Sequence, residues 1–197
     1  MQLVSELWEA RNKDIDEIDI NDPDYLRKTA ISRIAGAGNF EQVAQDIDRR
    51  FGLDGMNILE VGGGYGELCS RIKTITPVKY TLLDTPSMMR ISQKFLDGKG
   101  VTFVSCEAAE MIFKNNYDLF IAINCLSEMT EEYRNWILDN ILPNCSNYFI
   151  VDGDINNLGF NNELEKKIQQ YFPYGNREEG YGLHGTTYQT LFMGKRI

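Results

Sequence analysis

Apolar positions along this chain keep two different periods. In the first 52 residues they recur every three or four positions, as on one face of a helix. Phe40, Val43, Ala44, Ile47 and Phe51 form the clearest stripe, and Gly52 follows as a stop. Leu26, Ala30 and Ile34 form a second stripe after the start signal Asp22-Pro23, and Leu3, Val4, Leu7 and Trp8 a third, weaker one. Beyond residue 55 short β-rich runs alternate with helical stretches. Strands are predicted at 57–61, 79–83, 101–105, 119–124 and 148–152. The helices between them carry legible signals. Thr85 precedes Pro86 ahead of Met88, Ile91 and Phe95. Thr130 precedes Glu131 and Glu132, on a helix that ends at Pro143, and a further helix over 162–172 stops at Pro173.

Strand–helix alternation requires crossovers, and crossovers build a parallel sheet covered by helices on both faces. The last stretch breaks this rhythm. Runs at 180–184 and 187–195 leave no room for a crossover helix, so they are expected to pair as an antiparallel hairpin. The expected fold is therefore α/β and Rossmann-like: a seven-stranded, mostly parallel sheet with an antiparallel C-terminal hairpin. Residues 1–54 form a helical extension or cap, and 55–197 the main domain.

Composition narrows the classes. An apolar fraction of 43% and a charged fraction of 25% suit an ordinary globule. No apolar run approaches the roughly 18 residues of a membrane span. The opening Met1-Gln2-Leu3-Val4-Ser5-Glu6 has neither a basic n-region nor a long apolar core, so a secretory leader is not expected. A net charge of −9 disfavours a nucleic-acid backbone as partner. Cys69, Cys106, Cys125 and Cys145 are scattered without a C-x-x-C pair, which reads as reduced, semi-buried thiols in a cytoplasmic protein.

The strongest chemical signal is Ile58-Leu59-Glu60-Val61-Gly62-Gly63-Gly64-Tyr65-Gly66. An apolar strand runs into four glycines, and a helix bearing Leu68, Ile72 and Ile75 follows. Such a turn lets a ligand approach the backbone, and the helix start offers N–H groups to it. The dinucleotide register G-x-G-x-x-G fails, because its last position falls on Glu67 or on Cys69, and no G-K-[ST] follows to make a P-loop. Glu60 instead closes the strand. A carboxylate there repels a pyrophosphate but suits the ammonium of a methionine moiety. Asp84 ends the next strand, 22 residues after Gly62, where an acid can accept both hydroxyls of a ribose.

These residues resemble the class I S-adenosylmethionine-dependent methyltransferases. The likeness covers 56–197 and rests on Glu60 to Gly66, Asp84, the run Ser105-Cys106-Glu107-Ala108-Ala109-Glu110-Met111, and the C-terminal hairpin. It implies S-adenosyl-L-methionine as cofactor, held by Glu60, Gly62, Gly64, Gly66, Asp84, Thr85, Glu107, Ala108 and Asn124. Glu107 would take the adenine amino group, although the family often has Gly-Asp where this chain has Cys106-Glu107. A narrower likeness, to sugar O-methyltransferases, rests on Leu82-Leu83-Asp84-Thr85-Pro86 and Ile123-Asn124-Cys125-Leu126-Ser127-Glu128-Met129. It implies a small-molecule acceptor, with a sugar-type hydroxyl as the methylated group. Many members are longer, so recognition segments differ.

Acceptor-side candidates lie where open α/β sheets place their ligands, at the ends of later strands. Asn124, Ser127 and Glu128 follow the fourth strand, Asp152 and Asp154 the fifth, and His184 is the one histidine. For the general base Glu128 and Asp152 rank just above His184, because the ends of their strands face the reacting methyl. One histidine and no paired cysteines exclude the usual zinc sites, and a divalent-ion site from Glu128, Asp152 and Asp154 is the weak remaining metal option. The N-terminal helices are expected to cover the acceptor pocket or to form a homodimer contact, because their apolar stripes need a surface. The rival reading is a scaffold that kept the cofactor fold and lost catalysis.

Overall fold

The computed structural model describes residues 40–152, 159–179, 181 and 190–196. Within these, α1 (Phe40–Phe51) leads into β1 (Asn57–Val61), α2 (Glu67–Ile75), β2 (Lys79–Asp84), α3 (Pro86–Phe95) and β3 (Val101–Ser105). A 3-10 turn (Cys106–Met111) connects to β4 (Tyr117–Ile123), α4 (Glu131–Asn140), β5 (Cys145–Asp152), α5 (Phe160–Gln169), β6 (Asn176–Glu179) and β7 (Thr190–Lys195). The seven strands form one sheet in the order β3-β2-β1-β4-β5-β7-β6. Pairings from β3 through β5 are parallel, and β7 pairs antiparallel with both β5 and β6.

The period of two sorts the strand residues onto two cores. Ile58, Tyr80, Leu82, Leu119, Ile121, Phe149 and Val151 face α1 and α2, which add Val43, Ala44, Ile47, Leu68 and Ile72. Leu59, Val61, Leu83, Phe120, Ala122, Tyr148 and Ile150 face α4 and α5, which add Tyr133, Ile137, Leu164 and Ile168. Central strands buried on both sides are what a parallel sheet requires. Helix starts follow the expected chemistry. The Thr85 hydroxyl accepts from the Met88 N–H at 3.4 Å, and Thr130 does the same for Tyr133 at 3.4 Å.

Some boundaries move. The fourth strand ends at Ile123, and Asn124 lies beyond it with φ 51°. The described first strand of the C-terminal hairpin is Asn176–Glu179, earlier than expected, and it pairs from Asn176 opposite Met193 to Glu179 opposite Thr190. Tyr181 lies outside any strand, and the rest of 180–184 falls outside the described residues. The stripes expected in 1–39 also lie outside them. Helix α1, expected to belong to the extension, shares its buried face with α2 and the sheet. Among the described residues no helix is long and apolar enough to cross a membrane.

Candidate functional site

Strand β1 has β2 on one side and β4 on the other, so the crossovers leaving it diverge and open a crevice at the carboxyl ends of the strands. The cleft found there is walled by Glu60 to Tyr65 at the end of β1, Leu83 to Thr85 at the end of β2, and Ile123 to Cys125 at the end of β4. Glu128, Met129, Tyr133, Cys106, Met88 and Phe40 close its sides.

The glycine turn is shaped by what lies behind it. Gly62 has φ 70°, and a Cβ there would run into the Cys125 side chain, with Sγ at 2.8 Å. A Cβ on Gly63 would stand 2.8 Å from the Glu60 carboxyl carbon. Side chains at either position would overlap these neighbours, so glycine lets the turn pack this closely. The Gly64 N–H donates to Asp84 Oδ2 at 2.8 Å, and the Thr85 N–H to Asp84 Oδ1 at 2.7 Å. Asp84 thus ties the ends of β1 and β2 together beside the cleft.

Glu60 is 3% exposed and accepts the Tyr80 hydroxyl at 2.9 Å. Burial pushes its carboxyl up to about 7, a rise that the Tyr80 hydrogen bond opposes and the Asp84 charge adds to. Burial likewise pushes Asp84 up to about 6, against the hydrogen bonds from Thr85 and Gly64. Two carboxyls with raised values share one cleft wall, and none of the described residues lining the cleft is Lys, Arg or His. The arrangement lacks a cation.

Asp152 is fully buried and does not line the cleft. Its Oδ2 accepts the N–H groups of Leu126 (2.7 Å) and Ser127 (3.2 Å), and its Oδ1 accepts the Ser127 hydroxyl at 2.5 Å. It therefore anchors the turn whose next residue, Glu128, stands in the cleft wall. The Cys125 thiol donates to the Val61 carbonyl at 3.1 Å, and burial raises it far above its ordinary range. Cys106 is pushed up to about 11 for the same reason, so neither thiol is a thiolate at neutral pH. All four cysteines are buried and unbridged.

Of the residues singled out in the sequence, Glu60, Gly62, Gly64, Asp84, Thr85, Asn124 and Glu128 come together in this cleft. Gly66, Glu107, Ala108 and Asp152 do not line it. Gly66 caps α2, and Glu107 is exposed at the start of the 3-10 turn, where its N–H is held by Ser105 Oγ at 3.2 Å. His184 and Asp154 lie outside the described residues. Among the described residues no three His, Cys, Asp or Glu side chains are grouped to hold a metal ion. Sequence reasoning did not single out Tyr80 or Tyr133, and it read Phe40 only as a member of an apolar stripe; Gly63 and Met129 had entered only as parts of the glycine turn and of the segment Ile123 to Met129.

No protein-family model matches the sequence, and no curated protein matches it. Solved structures do. A Pyrococcus horikoshii OT3 protein superposes with a TM-score of 0.67 at 14% identity, over 96% of this chain and 99% of the other. The plantazolicin methyltransferase BpumL, solved with S-adenosylhomocysteine and a triazolic analogue, matches with a TM-score of 0.60 at 15% identity, over 98% of this chain and 97% of its own. An O-methyltransferase family protein of Burkholderia thailandensis matches with a TM-score of 0.59 at 12% identity, over 92% of this chain. The fold is that of the class I methyltransferases. This chain spans only 62% of the Burkholderia protein's length and 59% of that of a Nostoc punctiforme relative in the same fold, so those chains carry segments with no counterpart here.

Proposed function

We propose that the protein is an S-adenosylmethionine-dependent methyltransferase that methylates a hydroxyl oxygen of a small, sugar-type acceptor. The observation that carries the cofactor reading is the Glu60–Asp84 wall: a buried and a half-buried carboxyl, both held at raised values around a glycine cradle, with no cation among the described lining residues. A ligand with a cationic amino-acid end and a neutral ribose relieves that wall, and a dinucleotide pyrophosphate would aggravate it. The turn fits the cofactor as well, since the absence of side chains at Gly62 and Gly63 lets the turn lie tightly against Cys125, Glu60 and Leu82 while its backbone lines the cleft. Glu60 would hold the ammonium and Asp84 the ribose hydroxyls, with Glu107 and Ala108 at the adenine on the strength of the resemblance. When bound, S-adenosylmethionine supplies a methyl group already activated on a sulfonium.

The chain's own contribution is then to position the acceptor and manage its proton. Glu128 reaches the cleft from the turn anchored by Asp152, which makes Glu128 the favoured base and Asp152 its support. Aligning the reactants supplies about 7–11 kcal/mol, and a positioned base adds about 10²–10⁴ in rate. Support for a sugar-type acceptor comes from the segments Leu82 to Pro86 and Ile123 to Met129, both of which contribute residues to the cleft. Calorimetric titration with S-adenosylmethionine, S-adenosylhomocysteine and NAD tests the cofactor. Micromolar binding of the two adenosyl ligands and none of NAD is expected, and the reverse result refutes it. A screen of hydroxylated and amine acceptors for S-adenosylhomocysteine release then tests the acceptor.

A further inference from the structure

Tyr80 does not line the cleft, but its buried hydroxyl bonds Glu60, which does. In the parallel pairing of β1 with β2, Glu60 sits opposite Leu82 and Ile58 opposite Tyr80. Tyr80 is therefore the diagonal neighbour of Glu60 on the same sheet face, a separation that an aromatic side chain can bridge. It does so, donating to Glu60 Oε2 at 2.9 Å, while Tyr80 itself is only 2% exposed. A buried tyrosine aimed at a buried carboxyl, which itself lies so close to the glycine turn that a Cβ on Gly63 would stand 2.8 Å from it, is more than core filling.

We propose that Tyr80 is a positioning residue for cofactor capture: its hydroxyl holds Glu60 in place, as the ionised acid, to receive the cofactor's ammonium group. This rests on the cofactor reading above. The groups acting on Glu60 agree with the assignment. Asp84, at the end of β2, opposes its ionisation, and burial opposes it more strongly. Cys69 of α2 and Cys125 beyond β4 are thiols that burial raises far above neutrality, so neither adds a charge; Lys73 of α2 acts on Cys69. Tyr80 is the partner that favours the carboxylate, and its own hydroxyl is raised so far that it always has a proton to donate. Removing that donor leaves Glu60 protonated over a wider pH range, and a protonated Glu60 does not hold an ammonium.

The test is the pH profile of S-adenosylhomocysteine binding, by calorimetry between about pH 6 and pH 9. The parent, Tyr80→Phe, and protein carrying 3-fluorotyrosine at position 80 are compared. In the parent, affinity is expected to fall as pH drops through about 7. In Tyr80→Phe the fall begins about one pH unit higher, giving about tenfold weaker binding at pH 7 and convergence to within about threefold at pH 9. Fluorotyrosine, nearly the same shape but a stronger donor, shifts the fall to lower pH and carries the test if Tyr80→Phe does not fold. Binding by the parent with superposable profiles in the variants, or a loss by the same factor at every pH, overturns the assignment of Tyr80 and leaves the cofactor reading standing. A parent that binds neither S-adenosylmethionine nor S-adenosylhomocysteine at any pH overturns both.

Discussion

Glu60→Gln should make the ligand-free protein more stable and its cofactor binding worse. Folding takes the Glu60 carboxyl from an ordinary 4.5 to about 7. Between those values the native state binds more protons than the unfolded chain, so stability falls as pH rises. The penalty is absent below about pH 4.5 and complete above about pH 7. Its full size, about 2.5 pKa units at about 1.4 kcal/mol each, is about 3 kcal/mol. Glutamine cannot ionise, and its amide oxygen can still accept the Tyr80 hydroxyl. The variant should therefore gain about 2–3 kcal/mol at pH 8, a rise in Tm of about 5–10 °C for a domain of this size, and almost nothing at pH 5. Loss of the charged partner should weaken S-adenosylmethionine binding about 10–100-fold at pH 8. Thermal and urea unfolding at the two pH values, with calorimetry alongside, check both halves. A stability gain of equal size at pH 5 and pH 8 would trace to packing rather than ionisation, and a Glu60→Gln protein no more stable than its parent at pH 8 would refute the reasoning outright.

Asp84→Ala should weaken binding of both adenosyl ligands by about 1–3 kcal/mol in a protein that stays folded, and calorimetry showing an unchanged Kd would reduce Asp84 to a tie between Gly64 and Thr85. Asp152→Ala strips three hydrogen bonds from the Leu126–Ser127 turn and should lower stability by about 2–4 kcal/mol in urea unfolding. Glu128→Gln should keep stability and cofactor affinity while turnover falls about 10²-fold or more, with His184→Ala as the contrast; retention of activity to within about threefold in Glu128→Gln would remove it as base. Gly62→Ala adds a side chain at φ 70° against Cys125, and a loss of at least about 1–3 kcal/mol is expected in the same unfolding assay.

What could be read without coordinates, and what could not, follows from which forces leave a trace in residue order. Strand β1 falls where the apolar run places it, because a central strand must be apolar on both faces, and β3, at the opposite sheet edge from β6, also keeps its predicted bounds. Strand β6 left no such trace. Asn176-Arg177-Glu178-Glu179 is all polar and lies at the sheet edge, where charge discourages pairing with another chain. Its place is fixed by β7 and by Arg177, which bonds Glu165 at 2.7 Å, both distant in sequence. The cleft divides in the same way. Glu60, the glycines and Asp84 are legible because the turn needs them at fixed offsets from two strand ends. Asp152 was read as an acid at a strand end, and that much holds. Which way such an acid faces depends on the loop it supports, and here it turns beneath Leu126 and Ser127 while Glu128 faces the cleft.

Tyr80 marks the boundary between the two cases. Nothing in Lys79-Tyr80-Thr81-Leu82-Leu83-Asp84 separates it from an ordinary core aromatic. Once β1 and β2 are paired in parallel with Glu60 opposite Leu82, however, the period of two places Tyr80 on the Glu60 face and within reach of it. A one-residue slip of that register would turn Tyr80 to the opposite face, toward α4 and α5, and leave Glu60 buried without its donor. The parallel pairing that buries Tyr80 and Leu82 beside Ile58 therefore also gives Glu60 its donor. A stability requirement and a binding requirement are met by the same pairing, which explains why a carboxyl so unfavourable to ionise can stand at the centre of the fold.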